Sequence, residues 1–344
     1  MNFTSDNCYG AAPEMIEALA RANDGADASY GDDAISARLT RRFAEVFERE
    51  VAVFPVISGT AANALSLATL VPPHGAVLCH ATSHVVVDEC GAVELFSHGA
   101  RLVGIEGEAG KLAPTAVEAA LARFVKGDVH HPQPKALSIT NATELGTVYR
   151  AHEIAALSGV ARAHGLKLHM DGARFANAVA SLGCTPAELS WKAGVDALSF
   201  GATKNGALGA EAVIFFAPAE SGDFEYRRKK SGHLMSKMRF VSAQLEAALD
   251  KAGWLAHAGR ANALAAALAR GLEGVRGAEI AFPVETNAVF VRLDAAIAAR
   301  LRAAGARFYD WGPPEACGRR LVRLVTSFAT PEADVAKLVE IAKA

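Results

Sequence analysis

The sequence has little that would hold the protein at a membrane or on a nucleic acid. No uninterrupted apolar stretch reaches about 18 residues, the length that suggests a membrane-spanning helix. The 35 Lys and Arg residues are balanced by 37 Asp and Glu residues, so the net charge of −2 creates no basic field for anionic partners. We therefore expect neither a membrane nor a nucleic-acid partner.

Several other signatures are missing. The five cysteines are scattered without a Cys-x-x-Cys pair, which predicts reduced and mostly buried thiols at Cys8, Cys79, Cys90, Cys184 and Cys317. The first residues, MNFTSDNCYG, lack the pattern of a secretion signal, so a cytoplasmic protein is expected. Neither a G-x-G-x-x-G fingerprint nor a G-x-x-x-x-G-K-[ST] loop occurs, which argues against a dinucleotide or nucleoside triphosphate ligand.

What the sequence does contain is a repeated alternation of short apolar runs with helix-length segments. Only 7% of the 344 residues are aromatic and 51% are apolar, many of them Ala, which suits helices packed on a sheet. We predict strands at 51–57, 76–79, 101–105, 136–140, 166–170, 195–199 and 211–216. Helices are predicted from Pro13, at about 34–49, and at 61–70, 86–98, 114–126, 151–164 and 175–183. This order indicates an α/β fold with a mostly parallel sheet sandwiched by helices.

The pattern changes near residue 236. A long Ala-rich helical region at about 236–273 precedes a smaller C-terminal α+β unit, with strands at 278–282, 287–293 and 320–326 and helices at 294–304 and 331–343. We expect two domains, residues 1–250 and 251–344. The basic run Arg227–Lys230 is interpreted as a solvated helix or loop face.

Polar residues that directly follow predicted strands are the first candidates for a site, because ligands of open α/β sheets lie beyond the carboxyl ends of the strands. Ser58, Gly59 and Thr60 follow the first strand and begin a helix. Backbone N–H groups at such a helix terminus suit a phosphate, although Ser-Gly-Thr is equally an ordinary helix cap.

Two further strand ends carry a carboxylate and an amine. Asp171 follows 166–170, where it could accept a hydrogen bond from a protonated ring nitrogen, or instead cap a helix or pair with Arg174. Lys204 stands in an uncharged stretch of small residues, and burial there would lower its pKa and favour Schiff-base formation. A phosphate cradle, a carboxylate and a buried lysine are what an enzyme using pyridoxal 5′-phosphate (PLP) must supply.

Two histidines are candidates for stacking on a cofactor or for proton transfer. His84 lies shortly after the strand at 76–79, and His130 lies just before the strand at 136–140. The pKa of an unperturbed imidazole suits proton transfer, while a hydrogen-bonded structural histidine is the alternative for each.

Taken in order, these motifs resemble those of the low-specificity L-threonine aldolases, a family of fold-type-I PLP enzymes. The resemblance spans about residues 2–340. It rests on Tyr30-Gly31-Asp32-Asp33, Ser58-Gly59-Thr60-x-x-Asn63, His84 with Glu89, Asp171-Gly172-Ala173-Arg174, the Lys204 loop and Val322-Arg323-Leu324-Val325-Thr326.

The resemblance implies a role for each matching residue. Lys204 would be the Schiff-base lysine, Asp171 the partner of the pyridine nitrogen, and His84 the group stacked on the ring. The remaining roles are phosphate binding by Gly59 and Thr60, a cationic contact near cofactor and substrate from Arg174, substrate binding by Ser5, Tyr30 and Arg323, and handling of the β-hydroxyl proton by His84 or His130. It also implies a homodimer or homotetramer with active sites at the subunit interface.

Two departures from the family pattern concern substrate and cofactor contacts. The family often has Glu-Asn-Thr-His-Asn where this chain has Thr140-Asn141-Ala142-Thr143-Glu144-Leu145-Gly146. Its phosphate-binding Arg aligns near Ser236, which leaves Lys237 as the adjacent cation. With these changes and with His233-Leu234-Met235, the sequence resembles the subgroup that includes phenylserine aldolases.

The implied reaction is cleavage of L-threonine or L-allo-threonine, both β-hydroxy-α-amino acids, to glycine and acetaldehyde. Cleavage of L-phenylserine to glycine and benzaldehyde is one alternative, and β-elimination, which uses the same Lys and Asp pair, is another. A module that binds PLP without catalysis is a third.

Overall fold

The computed structural model describes residues 1–315 and 318–344. Within these residues the chain forms two sheets surrounded by α-helices. The helices are α1 (Pro13–Ala22), α2 (Ala34–Val46), α3 (Gly59–Leu70), α4 (His84–Val87), α5 (Ala92–Phe96), α6 (Pro114–Leu121), α7 (Ala151–Ala163), α8 (Phe175–Leu182), α9 (Phe224–Lys230), α10 (Arg239–Leu249), α11 (Gly253–Leu272), α12 (Ala295–Ala303) and α13 (Glu332–Lys343).

The larger sheet has seven strands in the order β1-β7-β6-β5-β4-β2-β3. They are β1 (Ala52–Val56), β2 (Gly75–His80), β3 (Arg101–Ile105), β4 (Gln133–Thr140), β5 (Lys167–Gly172), β6 (Ala197–Gly201) and β7 (Glu211–Phe215). Strands β2 to β6 pair in parallel, whereas β7 runs antiparallel to both β6 and β1. The predicted mostly parallel α/β sheet is therefore confirmed. Central strands such as β2, β6 and β7 are buried along their whole length, as expected for a sheet covered on both faces.

The smaller sheet is antiparallel, with the order β10-β11-β9-β8. Its strands are β8 (Ala278–Ile280), β9 (Ala288–Leu293), β10 (Tyr309–Asp310) and β11 (Arg320–Val325). Phe3, close to the amino terminus, is fully buried in the core of this sheet, and its N–H donates to the carbonyl of Arg307. The first residues thus pack with the C-terminal sheet, which brings the segment after them to the larger sheet's edge.

Two predicted helices are interrupted. The segment at 86–98 contains α4 and α5 with a break at Cys90 and Gly91, both at positive φ. The long region at 236–273 is divided into α10 and α11 by a turn in which Lys251 has φ of 48°. The domain boundary near residue 250 stays a prediction, although the chain turns there. Strand β10 was not foreseen because it is only two residues long.

Other expectations need correction. Cys79 is buried, but Cys8 and Cys90 are exposed, so a mostly buried set of thiols is wrong; Cys317 lies outside the described residues. Arg228 is also buried, because its guanidinium packs on Phe54 and donates to Glu225 and to the carbonyl of Pro55. No helix among the described residues is both long and apolar enough to cross a membrane.

Candidate active site

A cavity of about 410 Å³ opens at the carboxyl edge of the larger sheet. The register places Thr140 of β4 beside Asp171 of β5, and Gly201 of β6 beside Glu211 of β7. Glu211 is at the start of its strand, yet it reaches the same edge because β7 runs antiparallel. The strand ends therefore bring the predicted strand-end residues into one cavity, which is lined by Gly59, Thr60, His84, Asp171, Arg174 and Lys204 among others.

The amino end of α3 forms one wall of the cavity. The side chain of Ser58 caps the helix by accepting from the N–H of Ala61 at 3.3 Å. Helical geometry leaves the N–H groups of Gly59 and Thr60 without partners within the helix, and the helix dipole makes this end positive. A Cβ built on Gly59 would meet nothing within 4 Å, so the space beside this terminus is open. The arrangement can bind an anion such as a phosphate.

A hydrogen-bonded chain joins the carboxylate of Asp171 to the imidazole of His84. The amide of Asn63 donates to Asp171 Oδ2 at 2.9 Å and to Glu89 Oε1 at 2.8 Å, and His84 Nδ1 lies 2.8 Å from that same Glu89 oxygen. The bond to Glu89 raises the pKa of His84, and the negative charge of Asp171 raises it further. Burial raises the pKa of Glu89. The hydrogen bond to Glu89 thus fixes the orientation of the His84 imidazole.

Lys204 lies in a tight turn between β6 and β7. Gly201 permits this turn to approach the Asp171 segment, since a Cβ at Gly201 would come within 2.6 Å of the carbonyl oxygen of Ala173. Burial and the nearby charge of Arg174 lower the pKa of Lys204. Burial also raises the pKa of Glu211 to about 7, and this carboxyl accepts from the N–H of Ala202 at 3.0 Å. The turn therefore presents an amine of lowered basicity to the cavity.

The cations of the site differ in how they are paired. Arg174 donates from Nε and Nη2 to the two oxygens of Asp6, at 2.8 and 2.9 Å, and Asn287 donates to the same carboxylate at 3.0 Å. Burial alone would raise the pKa of Asp6, but the charges of Arg174 and Lys204 lower it. Arg323, on β11, packs on Trp311, and its Nε is buried without a partner among the described residues. Its charge is thus less satisfied than that of Arg174.

Five predicted residues do not line the cavity, and one of them is Arg323, whose contacts are given above. Ser5 is close to it, since it caps the short turn that contains the cavity-lining Asn7. Tyr30 and Lys237 are exposed elsewhere, and the ring of Tyr30 contacts the ammonium of Lys229. His130 is exposed before β4, and the length of that strand separates it from the cavity by roughly 20 Å. Proton transfer by His130 in its own chain's cavity therefore has no geometric support.

Several buried polar residues of the site were not assigned from the sequence. Glu144 and Glu211 follow or precede strand ends, and the same strand-end rule could have identified them. Asn63 and Glu89 stand within quoted motifs, but nothing in their spacing predicts a shared hydrogen bond. Asp6 gave no signal, because its partner Arg174 is 168 positions away.

Comparisons with known proteins agree with this geometry. The profile of the beta-eliminating lyase family matches residues 2–296. A low specificity L-threonine aldolase of a Pseudomonas strain is 45% identical over 337 residues, which cover 98% of this chain and 95% of the relative. Another, from Pseudomonas aeruginosa, is 45% identical with coverage of 99% and 96%. The solved structure of a Leishmania major threonine aldolase superposes with a TM-score of 0.93 at 31% identity, covering 99% of this chain and 98% of that one.

Proposed function

The chain belongs to the low specificity L-threonine aldolases of the beta-eliminating lyase family, and we propose that the cavity at Lys204 is where it cleaves L-threonine and L-allo-threonine to glycine and acetaldehyde. The observation that carries this proposal is the convergence of a partly buried amine, Lys204, with the carboxylate of Asp171 and the amino end of α3 in one cavity.

The residues of the cavity fit pyridoxal 5′-phosphate. The open amino end of α3, at Gly59 and Thr60, suits the phosphate, and Asp171 suits the protonated ring nitrogen. Buried oxygens of Asn63 and Glu89 have no partner among the described residues, which indicates that a polar group belongs beside them. When bound there, PLP supplies an electron sink for the pair released from the substrate's Cα–Cβ bond.

The substrate carboxylate is assigned to Arg323. Arg174 already donates two hydrogen bonds to Asp6. Among the described residues, Arg323 Nε has no hydrogen-bond partner, and Nη2 makes one long hydrogen bond, 3.4 Å, to the carbonyl of Thr4. Its planar fork can bind a carboxylate through two parallel bonds. Ser5, next to Thr4, completes this end of the site. A carboxylate fixed there orients the bond that must break.

Lys204 is assigned to covalent bonding, and His84 is assigned to contact with the cofactor. Because burial lowers the pKa of Lys204, its amine is more readily neutral and able to form the covalent bond. His84 is held by Glu89 so that its ring can lie against the cofactor, which keeps the cofactor in place and leaves Arg174 beside it. The cytoplasmic location predicted from the sequence is part of this proposal.

Assays of L-threonine, L-allo-threonine and L-phenylserine side by side test the activity. We expect acetaldehyde and glycine from the first two substrates, without release of ammonia. Benzaldehyde formation at a higher kcat/KM than acetaldehyde formation would make the protein a phenylserine aldolase. Ammonia and a 2-oxo acid in place of an aldehyde would instead identify a β-eliminating lyase. If the protein bound PLP but catalysed neither reaction, it would be a PLP-binding module without catalytic activity.

The proposal includes a homo-oligomer, at least a dimer and in its larger form a homotetramer, whose sites lie at the subunit interface. Tyr30 and Lys237 are exposed and lie outside their own chain's cavity, so the roles implied for them require a neighbouring chain. The same holds for proton transfer by His130. Exposed apolar side chains beside the cavity, Ile57 and Leu208, support an interface there.

Mixed oligomers test the placement of Tyr30 and Lys237. We expect inactive Lys204→Ala chains, co-expressed with inactive chains that carry both Tyr30→Ala and Lys237→Ala, to recover about one quarter of the wild-type activity, since half of the dimers would contain one intact site. Co-expression of two differently tagged Lys204→Ala chains is the control and should recover none. If the mixed oligomers recovered no activity, Tyr30 and Lys237 would not contribute to a neighbouring chain's site.

A further inference from the structure

The loop after β4 places a carboxyl group with one free oxygen in the cavity. Glu144 Oε1 accepts from the hydroxyl of Thr140 at 2.8 Å and from the backbone N–H of His84 at 3.0 Å. Oε2 is buried and has no hydrogen-bond partner among residues 1–315 and 318–344. A buried oxygen without a hydrogen-bond partner is unfavourable. Because Oε1 is held from two sides, Oε2 is the atom left to meet a ligand.

The other acidic groups of the cavity are less suited to contact a substrate. Both carboxylate oxygens of Asp171 accept hydrogen bonds, from Asn63 and from the N–H of Ala173. Glu89 also has an unpartnered oxygen, but its side chain is 0% exposed and its other oxygen is shared by His84 and Asn63. Glu144 is partly exposed in the cavity wall. Glu211 is buried and accepts from the N–H of Ala202. Glu144 is therefore the carboxyl group best placed to contact a bound molecule.

The histidines are also less suited to take up a proton in this chain's cavity. His84 Nδ1 is engaged by Glu89, and its ring is assigned to the cofactor. His130 lies at the far end of β4. A neighbouring chain's His130 is the alternative that the experiment must distinguish.

We propose, on the basis of the function above, that Glu144 binds the β-hydroxyl group of the substrate and takes its proton during carbon–carbon cleavage. The proton moves from the hydroxyl to Oε2, and the O–H electron pair becomes the second bond of the aldehyde carbonyl. The Cα–Cβ bond breaks and leaves its pair on the Cα side. When a proton reaches Cα, glycine is complete, and loss of the proton from Oε2 restores the carboxylate.

The electrostatic surroundings determine the pH range in which Glu144 can accept a proton. Burial raises the pKa of its carboxyl group, and the negative charge of Asp171 raises it further, against hydrogen bonds that lower it. The titratable and charged groups that act on it or respond to it are Asp171, Arg174, Cys79 and Tyr149, and His84 acts on it through its backbone N–H. Activity should fall as the pH falls through the raised pKa, because the protonated carboxyl group cannot accept a proton.

The test is Glu144→Gln, in which the amide oxygen can still accept from Thr140 and His84 while a donor replaces Oε2. We expect kcat for L-threonine to fall about 100-fold or more, and the acid limb of the pH profile to disappear. Glycine has no β-hydroxyl group, so its dissociation constant and the exchange of its α-proton in D₂O, measured by NMR, should stay within threefold of wild type. In Glu144→Ala, added formate should restore cleavage in proportion to its concentration.

Glu106→Gln is the matched control, since Glu106 follows β3 much as Glu144 follows β4 but is exposed. It should behave as wild type. Cleavage by Glu144→Gln within threefold of wild type would overturn the inference and favour a histidine. Joint loss of glycine binding, or absence of formate rescue, would also overturn it, because Glu144 would then be structural. A wild-type protein that binds glycine but releases no aldehyde would instead contradict the proposed function.

Discussion

Purified Lys204→Ala protein is expected to lose L-threonine cleavage by at least about a thousand-fold in kcat/KM. Among the described residues that line the cavity, Lys204 is the only one with an amine. Its removal eliminates the amine proposed to form the covalent link to PLP, and the carboxylate of Asp171 cannot form such a link. Coupled detection of acetaldehyde measures the rate, and borohydride reduction followed by mass spectrometry of the Lys204 peptide measures the link.

The control for this prediction is Lys126→Ala, because Lys126 is an exposed lysine outside the cavity. It should retain wild-type kinetics and the borohydride-stable mass on Lys204. Cleavage by Lys204→Ala at the wild-type rate would contradict the assignment of the covalent lysine. Retention of the mass on another lysine would relocate the site.

The larger sheet could be predicted because most of its strands are short apolar runs separated by helical segments, the exception being the turn with Lys204 that joins β6 to β7. Burial on both faces requires such runs, so the pattern carries the architecture directly. The helix breaks were less visible. Cys90 and Lys251 have positive φ in the structure, and neither is a residue type that favours turns, although Gly91 beside Cys90 is one.

The part of the site that follows strand ends was also accessible from the sequence. Gly59, Asp171 and Lys204 each lie at or just beyond the carboxyl end of a strand, and parallel strands bring such positions together. Contacts between distant segments were not accessible. Asn63 donates a hydrogen bond to Asp171, which is 108 positions away in the sequence, and only the fold reveals this contact.

The residues to which the family resemblance gives roles include two contrasting groups. Arg323 is brought close to Arg174, whose charge, after burial, contributes to lowering the Arg323 pKa. Tyr30, Lys237 and His130 are exposed and away from the cavity. A family motif reflects the assembled protein, so the proposed oligomer would have to bring these three residues to a cavity.

The largest expected loss of stability follows from Asp6→Asn. The substitution leaves Arg174, whose side chain is only 19% exposed, without its carboxylate, and breaking a largely buried ion pair in this way costs about 3–5 kcal/mol. For a chain of this length a loss of 3 kcal/mol lowers the melting temperature by about 4 °C. Urea unfolding and calorimetry measure the difference. Because Arg174 lines the cavity, the affinity for PLP should decrease as well.

Glu246→Gln provides a control with the same two-bond geometry in solvent. Glu246 accepts from Arg38 at 2.8 and 3.1 Å, and Arg38 is 47% exposed, so this loss should be below about 1 kcal/mol. An equal loss in both variants would contradict the buried-pair argument.

The stability difference between wild type and Asp6→Asn should also depend on pH in one direction. The folded-state pKa of Asp6 is lowered below its usual 3.8, so the carboxylate contributes its full stabilisation above the unfolded-state value. As the pH falls below 3.8 and through the lowered pKa, the proton that binds Asp6 removes the attraction to Arg174. The difference should therefore be constant from neutral pH to about pH 5 and shrink only in stronger acid. A difference that instead disappeared near pH 6 would assign the effect to a histidine.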